Sequence, residues 1–407
     1  MKPGVARSRD CSTARAEPVA IETTAEELEE ATALLTGLVS IYSPSGGEGR
    51  IVDRVERLCQ RDGLSVRRVP AEVGRDSLVV GAARNPVLAI AAHLDTVTPT
   101  WPDATVARVH DGVLNGLGAV DDKGGVTACL LAARWMARDG IDLDALPVVF
   151  AFPVDEESGG SGSRSLAIDL APRFAIALEG SGLNAGTVEC GDLEALVHVR
   201  GVSAHGSLTE LGRNAAHAAA DLIASLDDLG LASHVHPVLG PSMASVTEVT
   251  TGDGMNVIPD TCTLRLRIRM VPGQDLAATI SDVEAFTARF GGDVQMVEGT
   301  VPWELPEDSP LRMAVDAATH SVIGRRPETI GVPAWTDAHN FVDFGGSQTM
   351  VFGPGSIDTA HTPQEHIEVV QVVQCAKIFM KLLGPENLGA MSAAEPRPDQ
   401  TRYRRAR

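Results

Sequence analysis

Three consecutive acidic residues, Asp155, Glu156 and Glu157, follow the apolar run 148–152. A buried strand that ends in this way would deliver three carboxylates into a cleft, where they repel one another unless they share a cation or a proton. The pattern fits a metal site with one acid left over for proton transfer, and it also fits an ordinary solvated turn. Ligand-type residues at matching positions elsewhere in the chain would favour the metal site.

Such residues recur, each where we predict that a strand has just ended, at His93, Asp121, Glu157, Glu179 and His361. Ligands of open α/β sheets bind outside the carboxyl ends of the strands. Imidazoles and carboxylates suit zinc, but five of them are too many for one tetrahedral ion that also keeps a water, so they suit two bridged ions. Asp121 is the expected bridge, because flanking glycines let the backbone turn tightly there. The first ion would take His93 and Glu179, and the second Glu157 and His361.

Two nearby acids have expected roles other than metal binding. Asp95 lies two residues after His93, close enough to accept the second ring N–H and fix the imidazole tautomer. Glu156 is the acid left over, expected to act as general base and then as proton donor to a leaving amine. Each residue alone also has an ordinary explanation, as a strand-end pair, a surface histidine or part of a phosphate loop. The order GxxxxGK[ST] of a phosphate loop is absent around Asp121, and the joint placement of all five ligands favours the metal site.

The elements that would position these residues alternate along the chain. Apolar residues at helical spacing predict helices at 24–42, 48–62 and 124–138. Short apolar runs predict strands at 78–80, 87–92, 148–152, 174–178 and 350–352. This alternation predicts an α/β domain with a mixed, largely parallel sheet and helices on both faces.

From about residue 193 the pattern changes to half-exposed strands at 194–200, 245–251 and 261–270, with helices at 214–229 and 276–290. This order suits a small antiparallel sheet with helices on one face, an inserted α+β domain of ferredoxin-like type. We therefore predict a catalytic domain made of 24–192 and 309–386, and an inserted domain at 193–308. A flexible leader at 1–23 and a disordered basic tail at 387–407 would complete the chain.

Composition excludes several classes of protein. A formal net charge of −20 disfavours nucleic acid as a partner, because phosphate binding needs a basic face. No apolar stretch reaches the roughly 18 residues expected of a membrane span. Six scattered cysteines without CxxC spacing disfavour a zinc ribbon or a disulfide framework. We expect a cytoplasmic protein with neither a membrane nor a nucleic-acid partner.

Several short motifs together resemble the M20 metallopeptidase family over about residues 30–385. They are HLD at 93–95, GAVDDKGG at 118–125, DEE at 155–157, EG at 179–180, GVSAHGS at 201–207, NVIP at 256–259, RMVPG at 269–273 and HTPQE at 361–365. The family includes acetylornithine deacetylases, succinyl-diaminopimelate desuccinylases, aminoacylases and glutamate carboxypeptidases.

The resemblance implies two zinc ions in the arrangement given above, with cobalt or manganese as substitutes, and a cis peptide bond between Asp121 and Asp122. It also implies that the inserted domain is a lid through which two chains form a homodimer. His205 would then reach the partner's site and stabilise an oxyanion. Arg269 and Asn256 would bind a small substrate with a carboxylate.

Two departures from the family pattern affect these expectations. Arg267 stands where the family often has aspartate, and which of Arg265, Arg267 and Arg269 holds the substrate carboxylate is left open. Asp122 stands where many relatives have a neutral residue, which would add negative charge near the bridge.

The function that the resemblance implies is zinc-dependent hydrolysis of the amide in an N-acyl amino acid or a related small substrate with a carboxylate. A metallo-carboxypeptidase and a dipeptidase are alternatives within the same family. A non-catalytic relative with a binding role would have lost ligands or the base, and this chain keeps them all. A metal-dependent phosphoesterase is disfavoured by the arginine expected to bind a carboxylate.

Overall fold

The computed structural model describes residues 21–72, 75–252, 254 and 256–394. Most of the predicted leader and the end of the predicted tail lie outside the described residues. The described α-helices are α1 (Ala25–Val39), α2 (Gly49–Arg61), α3 (Lys123–Arg138), α4 (Ser161–Leu170), α5 (Ala215–Ala224), α6 (Leu276–Ala288), α7 (Pro310–Ile323), α8 (Ala338–Asp343), α9 (Val369–Leu382) and α10 (Pro385–Ala393). The described strands are β1 (Val66–Glu72), β2 (Arg75–Val80), β3 (Leu88–Ala91), β4 (Arg108–His110), β5 (Val113–Asn115), β6 (Val148–Phe152), β7 (Phe174–Ala177), β8 (Ala185–Glu189), β9 (Gly191–Arg200), β10 (Ala204–His205), β11 (Val235–His236), β12 (Gly240–Pro241), β13 (Met243–Thr251), β14 (Val257–Ile258), β15 (Thr261–Met270), β16 (Gly292–Gly299), β17 (Trp303–Glu304), β18 (Thr329–Val332), β19 (Gln348–Val351) and β20 (His366–Glu368).

The large sheet has the strand order β1-β2-β6-β3-β7-β19-β8-β17, and β18 pairs with β8. At its centre, β3 pairs in parallel with β6 on one side and with β7 on the other. β19 pairs in parallel with the far side of β7. The pairs β1–β2, β2–β6, β8–β19 and β8–β17 are antiparallel. The predicted mixed sheet with a parallel centre is confirmed.

Alternating side chains along the central strands belong to two separate cores. In β6, Val148, Phe150 and Phe152 join a core that includes side chains of α1, α2, α3, α7 and α9. Val149 and Ala151 instead join a core with α4 and with Phe341 of α8. Because both faces are buried, the strand is a continuous apolar run in the sequence. The predicted helices on both faces of the sheet are confirmed.

Local sequence explains where α1 begins. Thr24 and Glu27 form a capping box before α1: the Glu27 N–H donates to Thr24 Oγ1 at 3.2 Å, and the Thr24 N–H donates to Glu27 Oε2 at 2.8 Å. α3 packs against α1 and α9 and is buried along most of its length, so its first turn is firmly held beside the sheet. Among the described helices, none is both long enough and apolar enough to cross a membrane.

The small sheet is antiparallel, with the order β13-β15-β9-β16. α5 lies between β9 and β13 in the chain and α6 between β15 and β16, which gives the β-α-β-β-α-β order of ferredoxin-like domains. Leu222 of α5 and Val283 of α6 share one core with Val197 and Leu264 of the sheet. The predicted α+β unit is confirmed, and β16 is a further strand that the sequence pattern had not indicated.

Three expectations need correction. The chain has already returned to the large sheet at β17, before residue 309, because the buried Trp303 pairs with β8. Helix α10 occupies the first part of the segment expected to be a disordered tail, because Leu388 and Met391 are buried in the core of the large sheet. Asp121 does not follow a strand of that sheet: the preceding β5 pairs with β4 and β20, and Asp121 lies in the turn before α3.

Candidate active site

Three neighbouring parallel strands deliver the residues that follow them to one edge of the large sheet. His93 lies just beyond β3, Glu156 and Glu157 lie beyond β6, and Glu179 lies beyond β7. Because β6, β3 and β7 are adjacent and parallel, their carboxyl ends lie side by side. Asp121 reaches this edge from the turn before α3.

Two groups of side chains meet at this edge and share Asp121. In the first group, His93 Nε2 lies 2.8 Å from Asp121 Oδ1, and a carboxylate oxygen of Glu179 lies within 4.8 Å of both ligand atoms. In the second group, His361 Nε2 lies 2.9 Å from Asp121 Oδ2 and 3.0 Å from Glu157 Oε1. The structure therefore brings together all five residues predicted as ligands, in the two predicted groups, and Asp121 presents a different oxygen to each group.

The side chains of these groups suit divalent metal ions. Asp121, Glu157 and Glu179 are carboxylates, and histidines bind metals in their neutral form, so the ligands would carry a surplus of negative charge. Hydrogen bonds with Asp121 and Glu157 raise the pKa of His361 to about 10. Burial raises the pKa of Glu179 well above its usual range, and the nearby Asp121 raises it further. A shared cation would relieve this repulsion.

Asp95 contacts both His93 and the acid pair after β6. Its buried carboxylate accepts the backbone N–H groups of Glu156 and Glu157 at 3.0 and 3.1 Å, and the hydroxyl of Ser45 at 2.7 Å. His93 Nδ1 lies 3.5 Å from Asp95 Oδ1 and 3.1 Å from the backbone oxygen of Asp95. Asp95 thus lies where it can fix the His93 ring, and it also holds the backbone of the acid pair, which the sequence did not indicate.

Glu156 is the acid of the pair that belongs to neither group of potential ligands. Burial raises its pKa well above the usual range, and the carboxylates of Asp337 and Glu157 raise it further. A carboxyl group with a raised pKa beside a metal site can accept a proton from water and later donate it. The position of Glu156, next to Glu157 and outside both ligand groups, therefore suits a residue that exchanges protons beside the site.

Two other acids near the cluster have different surroundings. Asp155 has a φ of 71° and accepts the hydroxyls of Ser158 and Ser161 at 2.6 Å each, so it shapes the turn after β6. Asp122 follows the cis peptide bond that the resemblance implied. Burial raises the pKa of Asp122 well above its usual range, which favours the neutral acid. The extra negative charge expected from Asp122 is therefore reduced.

The segment 335–340 packs against the turn that follows the acid pair, and sequence reasoning did not assign it a role there. Asn340 Nδ2 donates to the Gly160 oxygen, in the turn after the acid pair, at 2.7 Å. His339 Nε2 lies 3.0 Å from the Cys190 oxygen, at the start of the small sheet. Burial raises the pKa of Asp337, two residues before His339, to about 7. The polar residues that follow β18 were the available signal for this segment.

His205 and Asn256 are exposed neighbours at the short two-stranded sheet of β10 and β14. His205 lies in β10, which pairs with β14, and the Gly206 N–H donates to the Asn256 oxygen at 2.6 Å. The Ser207 N–H donates to His205 Nδ1 at 3.2 Å. In the described part of the chain, these hydrogen bonds stay within this small sheet and its adjoining turns and do not reach the ligand groups around Asp121. The structure thus brings His205 and Asn256 together but does not connect them to the site of the same chain.

Arg265, Arg267 and Arg269 alternate with buried residues along β15 and share one face of it. Arg265 and Arg267 both donate to Glu194. Arg269 differs, because its Nη1 lies 3.3 Å from Asp192 Oδ2 and is buried without an aligned hydrogen-bond acceptor among the described residues. Arg269 also lies at the end of β15 that is closest to the large sheet, opposite Asp192 near the start of β9.

Comparison with known proteins shows the family. Residues 89–384, more than half of the chain, match the model of peptidase family M20/M25/M40. The chain is 29% identical to a succinyl-diaminopimelate desuccinylase of Corynebacterium glutamicum over 361 residues, which cover 85% of this chain and 94% of the relative.

Solved structures share the fold. A tripeptidase from Staphylococcus aureus has a TM-score of 0.74 and 21% identity, with 88% of this chain and 97% of that chain covered. A dinuclear metal-binding peptidase of the M20 family from Bacillus subtilis has a TM-score of 0.63 and 15% identity, with 88% and 98% covered. The family match extends over all five residues of the two ligand groups, and the chain belongs to peptidase family M20/M25/M40, as a hydrolase of amide or peptide bonds.

Proposed function

We propose that this chain is a dinuclear zinc-dependent amidohydrolase that removes the acyl group from an N-acyl amino acid or a related small substrate with a carboxylate. The observation that carries the proposal is the pair of ligand groups that share Asp121, with Glu156 next to them in the chain. The two ions would be held by His93, Asp121, Glu157, Glu179 and His361. Cobalt and manganese, which accept similar ligands, are expected to replace zinc. The dinuclear description of the Bacillus subtilis peptidase supports two ions.

The side chains around the ligand groups suit hydrolysis of an amide. Bound zinc would polarise the scissile carbonyl and make a water molecule easier to deprotonate. Glu156 would accept the proton of that water and then donate it to the leaving nitrogen, because an amine leaves far more readily than an amide anion. Asp95 would keep this base in place through the backbone N–H of Glu156.

Arg269 is the arginine of β15 that we propose to bind the substrate carboxylate. Arg265 and Arg267 already donate to Glu194, whereas Arg269 keeps a buried N–H without an aligned acceptor. A planar guanidinium can offer two parallel hydrogen bonds to a carboxylate. Binding of substrate at Arg269 would therefore use a donor that the protein itself leaves largely unsatisfied.

His205 and Asn256 are proposed to act on a second copy of the chain. They lie at the small sheet of β10 and β14, where both residues are exposed, so they are available to another molecule. His205 would stabilise the oxyanion of the partner's substrate, and Asn256 would add a polar contact. This requires a homodimer formed through the inserted domain, which sedimentation of the full chain can test.

A cytoplasmic location is part of the proposal. The cysteines of the described residues are free and buried, which suits a reducing compartment. The finding that no described helix suits a membrane span is consistent with this location.

The alternative within the family is a carboxypeptidase or a dipeptidase, and the similarity to a tripeptidase structure keeps it open. The deciding experiment measures turnover of N-acetyl and N-succinyl amino acids, dipeptides and tripeptides, with and without a chelator. We expect the fastest turnover with an N-acyl amino acid and loss of turnover with the chelator. Faster cleavage of dipeptides would favour the alternative, and turnover that resists the chelator would contradict the metal mechanism.

A further inference from the structure

Glu365 is a buried acid close to the site that has no role in the mechanism above. It lies four residues after His361 and has 1% of its surface exposed. Its Oε1 accepts two backbone N–H groups, that of Val120 at 3.1 Å and that of Asp121 at 3.3 Å. Its own backbone oxygen accepts the N–H of Gly116 at 3.1 Å. Glu365 therefore holds the segment before α3 at both ends.

The segment that carries Asp121 needs such support. Residues 116–122 lie between β5 and α3, outside any strand, so no sheet ladder takes up their backbone N–H groups. In the described part of the chain, the hydrogen bonds of the Val120 and Asp121 N–H groups go to Glu365. Buried N–H groups without an acceptor are costly, so removing the Glu365 carboxylate would allow the segment to shift.

The Asp121 carboxylate must face both groups of potential ligands at once. Its Oδ1 faces His93 at 2.8 Å, while its Oδ2 faces His361 at 2.9 Å. A small rotation of the backbone would move one oxygen away from its group, because the two oxygens are rigidly linked. His361 and Glu365 also belong to one short segment, so the same piece of chain supplies a potential ligand and fixes the bridge.

We propose that Glu365 is a positioning residue that sets the direction of the Asp121 carboxylate, and through it the affinity of the two-ion site. Glu365 does this because its side chain is long enough to accept the backbone N–H groups of Val120 and Asp121, and not because it carries a negative charge. This inference rests on the proposed function, because it assumes that Asp121 bridges two ions. Outer partners of metal ligands typically affect metal affinity by about 10- to 100-fold when they are removed.

The test is competition of the full-length chain with a chromophoric chelator for zinc. Glu365→Leu removes the acceptor, and Glu365→Asp keeps the charge but shortens the reach by one methylene. Both are expected to bind zinc about 10- to 100-fold more weakly. Glu365→Gln keeps an oxygen at the same reach, so its zinc affinity should stay within a few-fold of wild type. Glu368→Leu, at an exposed position in β20, is the matched control and should bind zinc as wild type does.

Thermal unfolding of the zinc-free variants separates positioning from general stability. Glu365→Asp and Glu365→Gln keep a polar group at the buried position, so they test the inference even if Glu365→Leu does not fold. Wild-type affinity in Glu365→Asp, or an equal loss in Glu365→Gln and Glu365→Asp, would overturn the positioning role. A wild-type chain that binds no zinc would overturn both this inference and the proposed function. If the wild-type chain and the Glu365 variants bind zinc as expected but the wild-type chain hydrolyses no amide, only the proposed function is overturned.

Discussion

The large sheet and the small sheet each carry a cluster of acids, and the two clusters are neutralised differently. On the small sheet, Asp192 and Glu194 of β9 face arginines of the neighbouring β15 in the strand register, so the charges are balanced within the protein. At the edge of the large sheet, Asp121 and Glu157 pair with His93 and His361, which bind metals as neutral groups. The acids of the first cluster have arginines as partners within the protein, whereas the second cluster fits an external cation.

The two clusters also differ in how their side chains are held and in how their pKa values are shifted. The arginines of β15 are held by cross-strand pairing, which needs only two adjacent strands. The acids of the large sheet come from separate strand ends and turns, and their pKa values are shifted by burial and by one another. Perturbed acids gathered in this way are typical of functional sites. Changes in the large-sheet cluster should therefore alter catalysis or metal binding, and changes in the small-sheet cluster should alter substrate affinity.

The largest effect is expected from Glu156→Gln. The amide cannot accept a proton, so kcat should fall by about 10²- to 10⁴-fold. The zinc content should stay at the wild-type value, because Glu156 belongs to neither ligand group. Glu157→Gln is the matched comparison, and it should lose zinc as well as turnover. Unchanged turnover in Glu156→Gln, measured with the best substrate of the panel, would remove Glu156 as the base.

The next effect is expected from Asp95→Ala. This change removes the acceptor of the Glu156 and Glu157 backbone N–H groups and a neighbour of the His93 ring. Zinc affinity should fall by about 10- to 100-fold. Asp155→Asn, in the turn that carries Glu156 and Glu157, should lower the unfolding temperature with little change in zinc affinity. Equal zinc affinities of the two variants would show that Asp95 has no special role.

A smaller effect is expected in the pH dependence of zinc affinity. The pKa of His361 is raised to about 10 by Asp121 and Glu157, so the metal-free protein holds this proton at neutral pH. Zinc must displace it, and zinc affinity should therefore rise about tenfold per pH unit for each proton released between pH 6 and 8. Calorimetry in buffers of different ionisation enthalpy counts the protons. His361→Ala should release one fewer proton than wild type, whereas His366→Ala, at a half-buried position in β20, should release the same number.

The smallest effect is expected on the small sheet. Asp192→Asn removes the negative charge that lies 3.3 Å from Arg269, so a substrate carboxylate should bind there more tightly. KM should fall about two- to fivefold with little change in kcat, as for a partly exposed ion pair. Glu194→Gln, which affects Arg265 and Arg267 instead, should leave KM closer to wild type. A KM for Asp192→Asn that equals that of wild type would argue against Arg269 as the carboxylate site.

Much of the fold could be predicted because the central strands are buried on both faces. Strand β6 was predicted to the residue, and β3 and β7 to within one residue at each end, since their apolar runs are unbroken. Strand β16 was missed because it includes few apolar side chains and none of its residues is fully buried. Helix α10 was missed because only Leu388 and Met391 anchor it, which is too weak a signal in a polar segment.

The candidate site could be predicted where the ligand type and the strand end coincide, as at His93, Glu157 and Glu179. The contacts of Asp95 with the acid pair and of Glu365 with Asp121 could not, because they join residues far apart in the chain. Likewise, the resemblance pointed to Arg269, but the sequence left open which of the three arginines of β15 holds the carboxylate. Only the pairing with β9 distinguishes Arg269 from its neighbours.

The central claim is that the large-sheet cluster binds two metal ions that the hydrolysis needs. The most direct test is to measure the zinc content of the full-length chain after dialysis, together with turnover of the best N-acyl amino acid. The account predicts two zinc ions per chain, loss of turnover when a chelator removes them, and recovery when zinc is added back. A folded chain that turns over substrate with less than one metal ion per chain, and is unaffected by the chelator, would contradict it.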